Sequence, residues 1–378
     1  MKLLTTSHFC ELVSAVGFDA FNRSLIRTLE EDFSRWERFH RSPRHAVHYP
    51  HGVIELMPMA DNSLYAFKYV NGHPGNTRLG KLSVVALGLL ADVDTGYPRM
   101  LCEMTLLTAF RTAATAALAA RYLARSDSRC LALIGTGAQA EFQVASLRTL
   151  LPLQSLRYFD LDPGAMEKLA RNLKGEGLEL RPACDVAEAV DGADVIVTAT
   201  AAKRRNRILT RGMILPGVHI HAMGGDCPGK TELAPDLLDG SKIVVEYLAQ
   251  SRDEGEIQNR PDVSVHAELW ELVTGRKPGR VAADEITLFD AVGFALEDFS
   301  ALRLVDRLSD ELGIGDEVDL IPEPGEPKDL YSLLVGPKTA PTRSQTRRSV
   351  TPSMSRRGLS SASSRPTKPG SWETPRKA

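Results

Sequence analysis

The chain has 378 residues, more than the roughly 100–200 of one typical domain, which points to two domains; 43% apolar and 25% charged residues exclude a fibrous, membrane-embedded or wholly disordered protein. The net charge of −2 hides ten Lys or Arg against a single acid, Glu373, beyond residue 336, so the rest is acidic and lacks the basic folded face of a nucleic-acid-binding domain. Five scattered cysteines (Cys10, Cys102, Cys130, Cys184 and Cys227) form no C-x-x-C pair, so no metal site is expected and free thiols in a reducing compartment are.

At the N-terminus MKLLTTSHFCELVSAVGFDAF carries a short apolar run, broken by Ser, His and Glu before a secretory signal is complete. No window reaches the ~18–20 uninterrupted apolar residues of a spanning helix, so a cytoplasmic chain without a membrane partner is expected. Over 18–40, Phe21, Leu25, Leu29, Phe33 and Trp36 recur at helical spacing, which predicts an amphipathic helix packed on a sheet. Segments 52–59, 65–70 and 83–92 are short, apolar and separated by turn residues, as in successive antiparallel strands, with the loop NGHPGN at 71–76 between the last two. The Ala-rich stretch 106–123 has high helix propensity and is expected to link two domains.

The period then changes. A short apolar strand at 130–134 runs into a glycine turn and helix over 135–149, and a second strand follows at 155–160. Further strands are predicted at 194–198, 219–223, 242–246 and 286–289, then a helix over 291–312 and a strand at 317–320 that returns to the first domain. Strand–helix alternation argues for a parallel sheet covered on both faces. The fold class is therefore α/β: a Rossmann-type doubly wound domain over 116–312, beside an α+β domain over 1–115 completed by about 313–335. From 336 to 378 Ser, Thr, Pro and Arg dominate and large apolar residues are almost absent, which predicts a disordered basic tail, either inert or a docking segment.

The strongest local signal is LALIGTGAQAEF at 131–142. Gly135 permits a tight turn, Gly137 lets a pyrophosphate approach the backbone, and Ala140 keeps helix and strand close, with the helix N-terminus facing the anion. Asp160, 25 residues after Gly135, can accept both ribose hydroxyls and repels a 2′-phosphate, which favours NAD over NADP. The alternative is a structural turn with a surface Asp. A second cluster, HIHAMGGDCPGKTEL at 219–233, ends a strand in Gly224-Gly225 and sets Asp226 at the carboxyl edge of the sheet, where a carboxylate beside a nicotinamide can do acid–base work. It also fits an ordinary turn. A third group is basic: Arg44 in a polar loop, Lys68 on YAFKYV and Arg111 on the Ala-rich helix. Strand alternation buries Lys68, and a buried cation needs a partner: either a substrate carboxylate or an internal acid such as Glu55, Asp92 or Glu103.

In these residues the chain resembles the ornithine cyclodeaminase and mu-crystallin family. The similarity covers about 33–334 through GVIELMP, YAFKYVNGHP, LADVDTGYP, RTAAT, ALIGTGAQAEF, GGDCPGKTEL, EGEIQ and FDAVGFALEDF, in that order. The resemblance implies closure of L-ornithine to L-proline and ammonia by hydride transfer to and from bound NAD, in a homodimer whose first domains bind substrate and join into a closed β-structure. It implies that Arg44, Lys68 and Arg111 surround the substrate carboxylate, Asp226 is the general acid–base, Glu55 meets the side-chain amine and Val292 lines the pocket. For NAD it implies Ser83, Arg111, Gly135, Gly137, Ala138, Gln139, Asp160, Thr200, His221, Met223, Lys230 and Ala291. Two stretches depart from the pattern: the turn reads GTGAQ where Asn is expected at its second position, and 76–83 matches loosely. Competing readings are lysine cyclodeamination, ketimine reduction, alanine dehydrogenation, or a non-enzymatic NAD or small-ligand binder. Asp226 within DCPGKTEL favours cyclodeamination, and a pure binder has no need to keep Lys68, Arg111 and Asp226 together.

Overall fold

Apolar alternation over the first hundred positions yields a mixed sheet with one covered face. The computed structural model, which describes residues 1–201 and 204–335, builds it from β1 (Lys2–Leu4), β2 (His45–Tyr49), β3 (Gly52–Ala60), β4 (Leu64–Gly72), β5 (Ala86–Asp92) and β6 (Pro98–Glu103). A late return strand, Asp316–Glu317, adds the edge beyond β1, and the spatial order is return strand, β1, β6, β5, β4, β3, β2. On β4 the period of two turns Ala66, Lys68 and Val70 inward and Tyr65, Phe67 and Tyr69 outward. Helices α1 (Thr6–Val16), α2 (Phe18–Ser34) and α3 (Thr105–Leu123), with the late helix Ala295–Leu312, complete the apolar core on the inner face. Gly88 is paired with Lys68 in register, and a side chain there would collide with Met104 and Leu302. Its absence lets the late helix lie close on the sheet, over Lys68.

Beyond α3 the chain alternates through β7 (Cys130–Ile134), α4 (Ala140–Arg148), β8 (Ser155–Phe159), α5 (Pro163–Asn172), β9 (Glu179–Pro182), α6 (Val186–Val190) and β10 (Val195–Thr198). It continues with β11 (Arg205–Leu209), β12 (His219–Ala222), β13 (Thr231–Leu233), α7 (Pro235–Asp239), β14 (Lys242–Val245), α8 (Leu248–Glu254), β15 (Ala267–Glu268), α9 (Leu269–Val273), β16 (Thr287–Asp290) and α10 (Ala295–Leu312). Eight strands form one parallel sheet in the order β15-β14-β16-β12-β10-β7-β8-β9, while β11 and β13 pair separately. β10, β12 and β16 are buried along their whole length, as strands covered on both faces must be. Chain order reverses between β7 and β10, the switch point beside which doubly wound sheets bind ligands.

Both sheets lie in one compact unit, Met1–Ile321; a second unit begins at Pro322, and its described part carries only α11 (Ser332–Val335). The expected disordered tail from 336 lies outside the described residues. Among the described residues no helix is long and apolar enough to cross a membrane, and no cluster of three His, Cys, Asp or Glu is arranged to hold a metal.

Several element boundaries differ from the sequence reading. The helix expected over 18–40 stops at Ser34, because Trp36 stacks flat on Phe33 and Trp270, with centroids 6.0 and 5.9 Å away, off the helical path. The loop expected at 71–76 divides: Asn71 and Gly72 prolong β4, and Pro74–Leu79 coil into a 3-10 turn that proline starts without losing a needed N–H. The strand expected from 83 begins at Ala86, since Asn71 Oδ1 takes the Val85 N–H at 2.6 Å. β1, α1, β2 and β6 were not legible; α1 does carry a signal, a reciprocal cap in which Thr5 and His8 satisfy each other's backbone N–H.

Candidate active site

The glycine turn sits at the switch point. Gly135 takes φ +97°, and a side chain there would start 2.5 Å from the Ala199 carbonyl oxygen, so glycine alone passes the end of β10. Gly137 is exposed, with no atom within 4 Å of the place a side chain would occupy, which leaves open ground over the backbone. Ala138 and Gln139 lead into α4, whose N-terminus carries no side-chain cap. Asp160 Oδ2 accepts the Thr136 N–H at 2.6 Å and its hydroxyl at 3.2 Å, and Oδ1 accepts the Asp162 N–H at 3.0 Å. The carboxylate is thereby held against the turn with acceptor capacity to spare on Oδ1.

Thr200, His221, Met223, Lys230 and Ala291 lie at the carboxyl ends of β10, β12 and β16 or in the loops that follow. His221 stacks on Phe289 at 5.4 Å; burial pushes its imidazole down to about 3, and neither ring nitrogen has a hydrogen-bond partner. Gln139 Oε1 is likewise buried without a partner. Orphaned polar atoms around an open glycine turn, with a carboxylate for ribose hydroxyls, fit NAD. Ser83 belongs instead to the loop before β5, where its carbonyl takes the His73 N–H at 2.8 Å. A surface cavity of about 950 Å³ lies elsewhere, between the start of α2 and α4–α5, lined by Phe18, Arg23, Phe142 and Arg148. It holds none of these residues, so chemistry rather than size locates the site.

The three expected cations do converge. Lys68 Nζ lies 2.8 Å from Asp298 Oδ1, and Arg111 Nε reaches the same oxygen at 3.0 Å while its Nη1 donates to Glu297 at 2.5 Å. The internal partner of Lys68 is thus Asp298 rather than Glu55, Asp92 or Glu103. The reason is tertiary: α10 crosses the inner face of β4, whereas Asp92 holds Thr95, Glu103 caps α3 and Glu55 faces Arg44. Burial, then the charges of Arg111 and Arg44, pull the Lys68 ammonium down to about 8 against the support of Asp298.

Arg44 is the hub of the second half. Its Nη1 donates to both oxygens of Glu55 at 3.1 and 3.2 Å, and Nη2 donates to the carbonyls of Val292 at 2.6 Å and Gly293 at 2.7 Å. Burial opposes its charge, but Glu55, Glu254 and Asp226 raise its pKa on balance. Gly293 has φ +78°, and a side chain there would start 2.7 Å from Arg111 Nη1. One turn, Val292–Gly293, therefore seats Arg44 through its carbonyls and Arg111 against its α-carbon. Glu246 accepts the N–H groups of the same two residues at 3.1 Å each, and burial with the nearby Glu297 pushes its carboxyl well up.

Asp226 follows the Gly-Gly turn after β12. Its side chain is 52% exposed and 3.0 Å from Lys230 Nζ, whose charge Asp226 and Glu232 reinforce against burial. Glu232 accepts the Thr200 N–H at 2.8 Å and packs against Gly224, tying the loops after β10 and β12 together. Sequence reasoning passed over Glu232, Glu246, Glu254, Glu297 and Asp298. Their signal was several acids set inside apolar runs such as FALED, which must be paired once buried.

Comparison with known proteins identifies the family. A family model described as the ornithine cyclodeaminase/mu-crystallin family matches residues 6–311. An ornithine cyclodeaminase of Brucella suis biovar 1 (strain 1330) is 53% identical over 336 residues, 89% of this chain and 94% of the relative. A solved lysine cyclodeaminase, described as recognising L-lysine, L-ornithine and L-2,4-diaminobutyric acid, has a TM-score of 0.81 at 33% identity, covering 88% of this chain and 99% of its own. An archaeal alanine dehydrogenase dimer with bound NAD has a TM-score of 0.78 at 30% identity over 85% of this chain and 99% of its own.

Proposed function

The chain belongs to the ornithine cyclodeaminase/mu-crystallin family, and from that premise we propose that it is an NAD-dependent ornithine cyclodeaminase, turning L-ornithine into L-proline and ammonia. When bound, NAD would supply the redox chemistry of a hydride taken from the substrate Cα and returned to that carbon, so the net reaction would be redox-neutral. Gly135 to Gln139 take the pyrophosphate, Asp160 the ribose, and Thr200, His221, Met223, Lys230 and Ala291 the nicotinamide end, with Arg111 reaching in from α3. We assign 1–115 with the return strand to substrate and subunit pairing, and 116–312 to NAD.

Lys68 and Arg111 hold the substrate carboxylate, where an anion offsets the repulsion between them, and Arg44 adds a third positive charge nearby. Asp226, half open to solvent at the carboxyl edge of β12, takes a proton from the α-ammonium as hydride leaves and returns it to the departing ammonia. Glu55 directs its charge toward the side-chain amine, and Val292 borders the pocket. Reacting atoms held in this way gain up to roughly 7–11 kcal/mol toward ring closure.

The observation that carries the reading is the turn at Gly293, where the Lys68–Arg111 group and the Arg44–Asp226 group come together. Incubation with ornithine and catalytic NAD, with no external reductant, should yield proline and ammonia in equal amounts; lysine under the same conditions should turn over more slowly. Failure to form proline would remove the proposal.

The outer face of the first sheet bears Val47, Tyr49, Leu56, Tyr65, Tyr69 and Leu87, all exposed. Contiguous exposed apolar surface of this kind marks an interface. Pairing of two copies through it into a homodimer is part of the proposal, as is a cytoplasmic location in which ornithine is drawn into proline.

A further inference from the structure

Two protons must leave nitrogen in the proposed reaction. One departs the α-ammonium so that hydride can leave; the other departs the side-chain ammonium so that its lone pair can attack Cα. Asp226 accounts for the first. Glu55 is poorly placed to be the second acceptor, because Arg44 Nη1 donates to both of its oxygens.

Glu254 closes α8 and is buried. Arg44 Nε lies 3.1 Å from its Oε2 but out of line for a hydrogen bond, so that oxygen has no donor. Gln258 fixes it relative to Asp226: its amide nitrogen donates to the carbonyls of Gly255 at 2.8 Å, Lys230 at 3.0 Å and Cys227 at 3.2 Å, and its Oε1 accepts the Gly229 N–H at 2.6 Å. The end of α8 and the Asp226 loop are therefore one fastened lip. Glu55 from β3, Asp226 from that loop and Asp253 from α8 all face Glu254 with negative charge, and Arg44 opposes them. Burial and these acids push its carboxyl up to about 7, close to the value a proton acceptor needs at neutral pH. An acid-rich end of this composition also attracts a cationic chain end and repels a carboxylate.

We propose that Glu254 is the second proton acceptor of the reaction, removing the proton from the side-chain ammonium of the substrate so that this nitrogen can close the ring. The inference rests on the ornithine reading above. The protons balance: Asp226 and Glu254 each gain one, the attacking nitrogen passes one to the α-nitrogen, the C–N bond to that nitrogen breaks, and ammonia departs. Hydride returns to Cα, Glu254 protonates the ring nitrogen and Asp226 the ammonia, giving proline and ammonium with both carboxylates restored.

Rapid mixing of the NAD-loaded full chain with ornithine tests this, following nicotinamide absorbance and proline together across pH. The wild type should show reduced nicotinamide only transiently. In Glu254→Gln reduced nicotinamide should form and persist, proline should appear about 10²-fold or more slowly, and the rise of rate through about pH 7 should vanish. Glu254→Asp should recover part of the rate and keep a displaced pH limb; it also serves if the Gln variant fails to bind NAD. Ring closure at the wild-type rate in Glu254→Gln would overturn the proposal, as would loss of nicotinamide reduction to the same degree as loss of proline. A wild-type chain that forms no proline would instead overturn the ornithine reading, whatever Glu254 does.

Discussion

The two halves of the site handle charge in opposite ways. Around Lys68 and Arg111, cations and the carboxylates of Glu297 and Asp298 are matched and almost wholly buried, Lys68 and Asp298 each showing 1% of their side chains. Around Arg44, three acids crowd one guanidinium, and Asp226 stands half exposed beside Lys230. A matched buried cluster is a rigid seat for a carboxylate, since removing any member strands its partner out of water. An acid-rich cluster with one half-exposed member is suited to moving protons, because Asp226 can trade charge with solvent while Arg44, Glu55 and Glu254 stay buried.

That contrast is open to breakage by mutation. Asp226→Asn should lower kcat by about 10²–10⁴-fold while leaving stability within about 1 kcal/mol and NAD affinity nearly intact, as turnover assays, melting curves and cofactor titration would register. Lys68→Ala should cost activity and also about 1.5–3 kcal/mol of stability, because buried Asp298 loses the donor of its hydrogen bond and keeps only the Arg111 guanidinium 3.0 Å away; urea unfolding that shows no such loss would erase the distinction between the two halves.

Gly293→Ala tests the joint between them. The left-handed backbone costs a non-glycine residue roughly 1–2 kcal/mol, and the methyl group must displace Arg111. KM for ornithine should rise about tenfold with NAD affinity less affected, a change of roughly 1.4 kcal/mol. The smallest effect sharpens the comparison by pH. Glu254 must be ionised to accept a proton, so rate climbs as pH rises through about 7; Lys68 must stay charged to hold a carboxylate, so rate falls as pH rises through about 8. A narrow maximum between these limits is expected in kcat/KM, with the acid limb belonging to one half and the alkaline limb to the other.

Much of this architecture was legible from local pattern. The apolar run at 130–134, the glycines at 135 and 137 and the acid at 160 are neighbours in sequence or one unit apart, so their geometry follows from a strand, a turn and a helix in succession. Lys68 was legible as a buried cation because a period of two forces it inward. Its partner was not, for Asp298 lies 230 residues away and meets it only because α10 lies close on the sheet at Gly88, the β5 residue paired with Lys68. Glu254 escaped for a similar reason: on α8 it reads as an ordinary helix-end acid, and only Arg44, Gln258 and the Asp226 loop make it a buried one.

The amino-acid order by itself determined the parallel sheet, the central strands of the first sheet, the glycine turn and the inward face of Lys68, because each depends on backbone dihedrals and periodicity over a few residues. The tertiary structure alone decided which carboxylate answers each cation and where the Val292–Gly293 turn seats Arg44 and Arg111. Charges interact through space across long loops, and their partners are set by how helices pack on sheets, which no local spacing encodes.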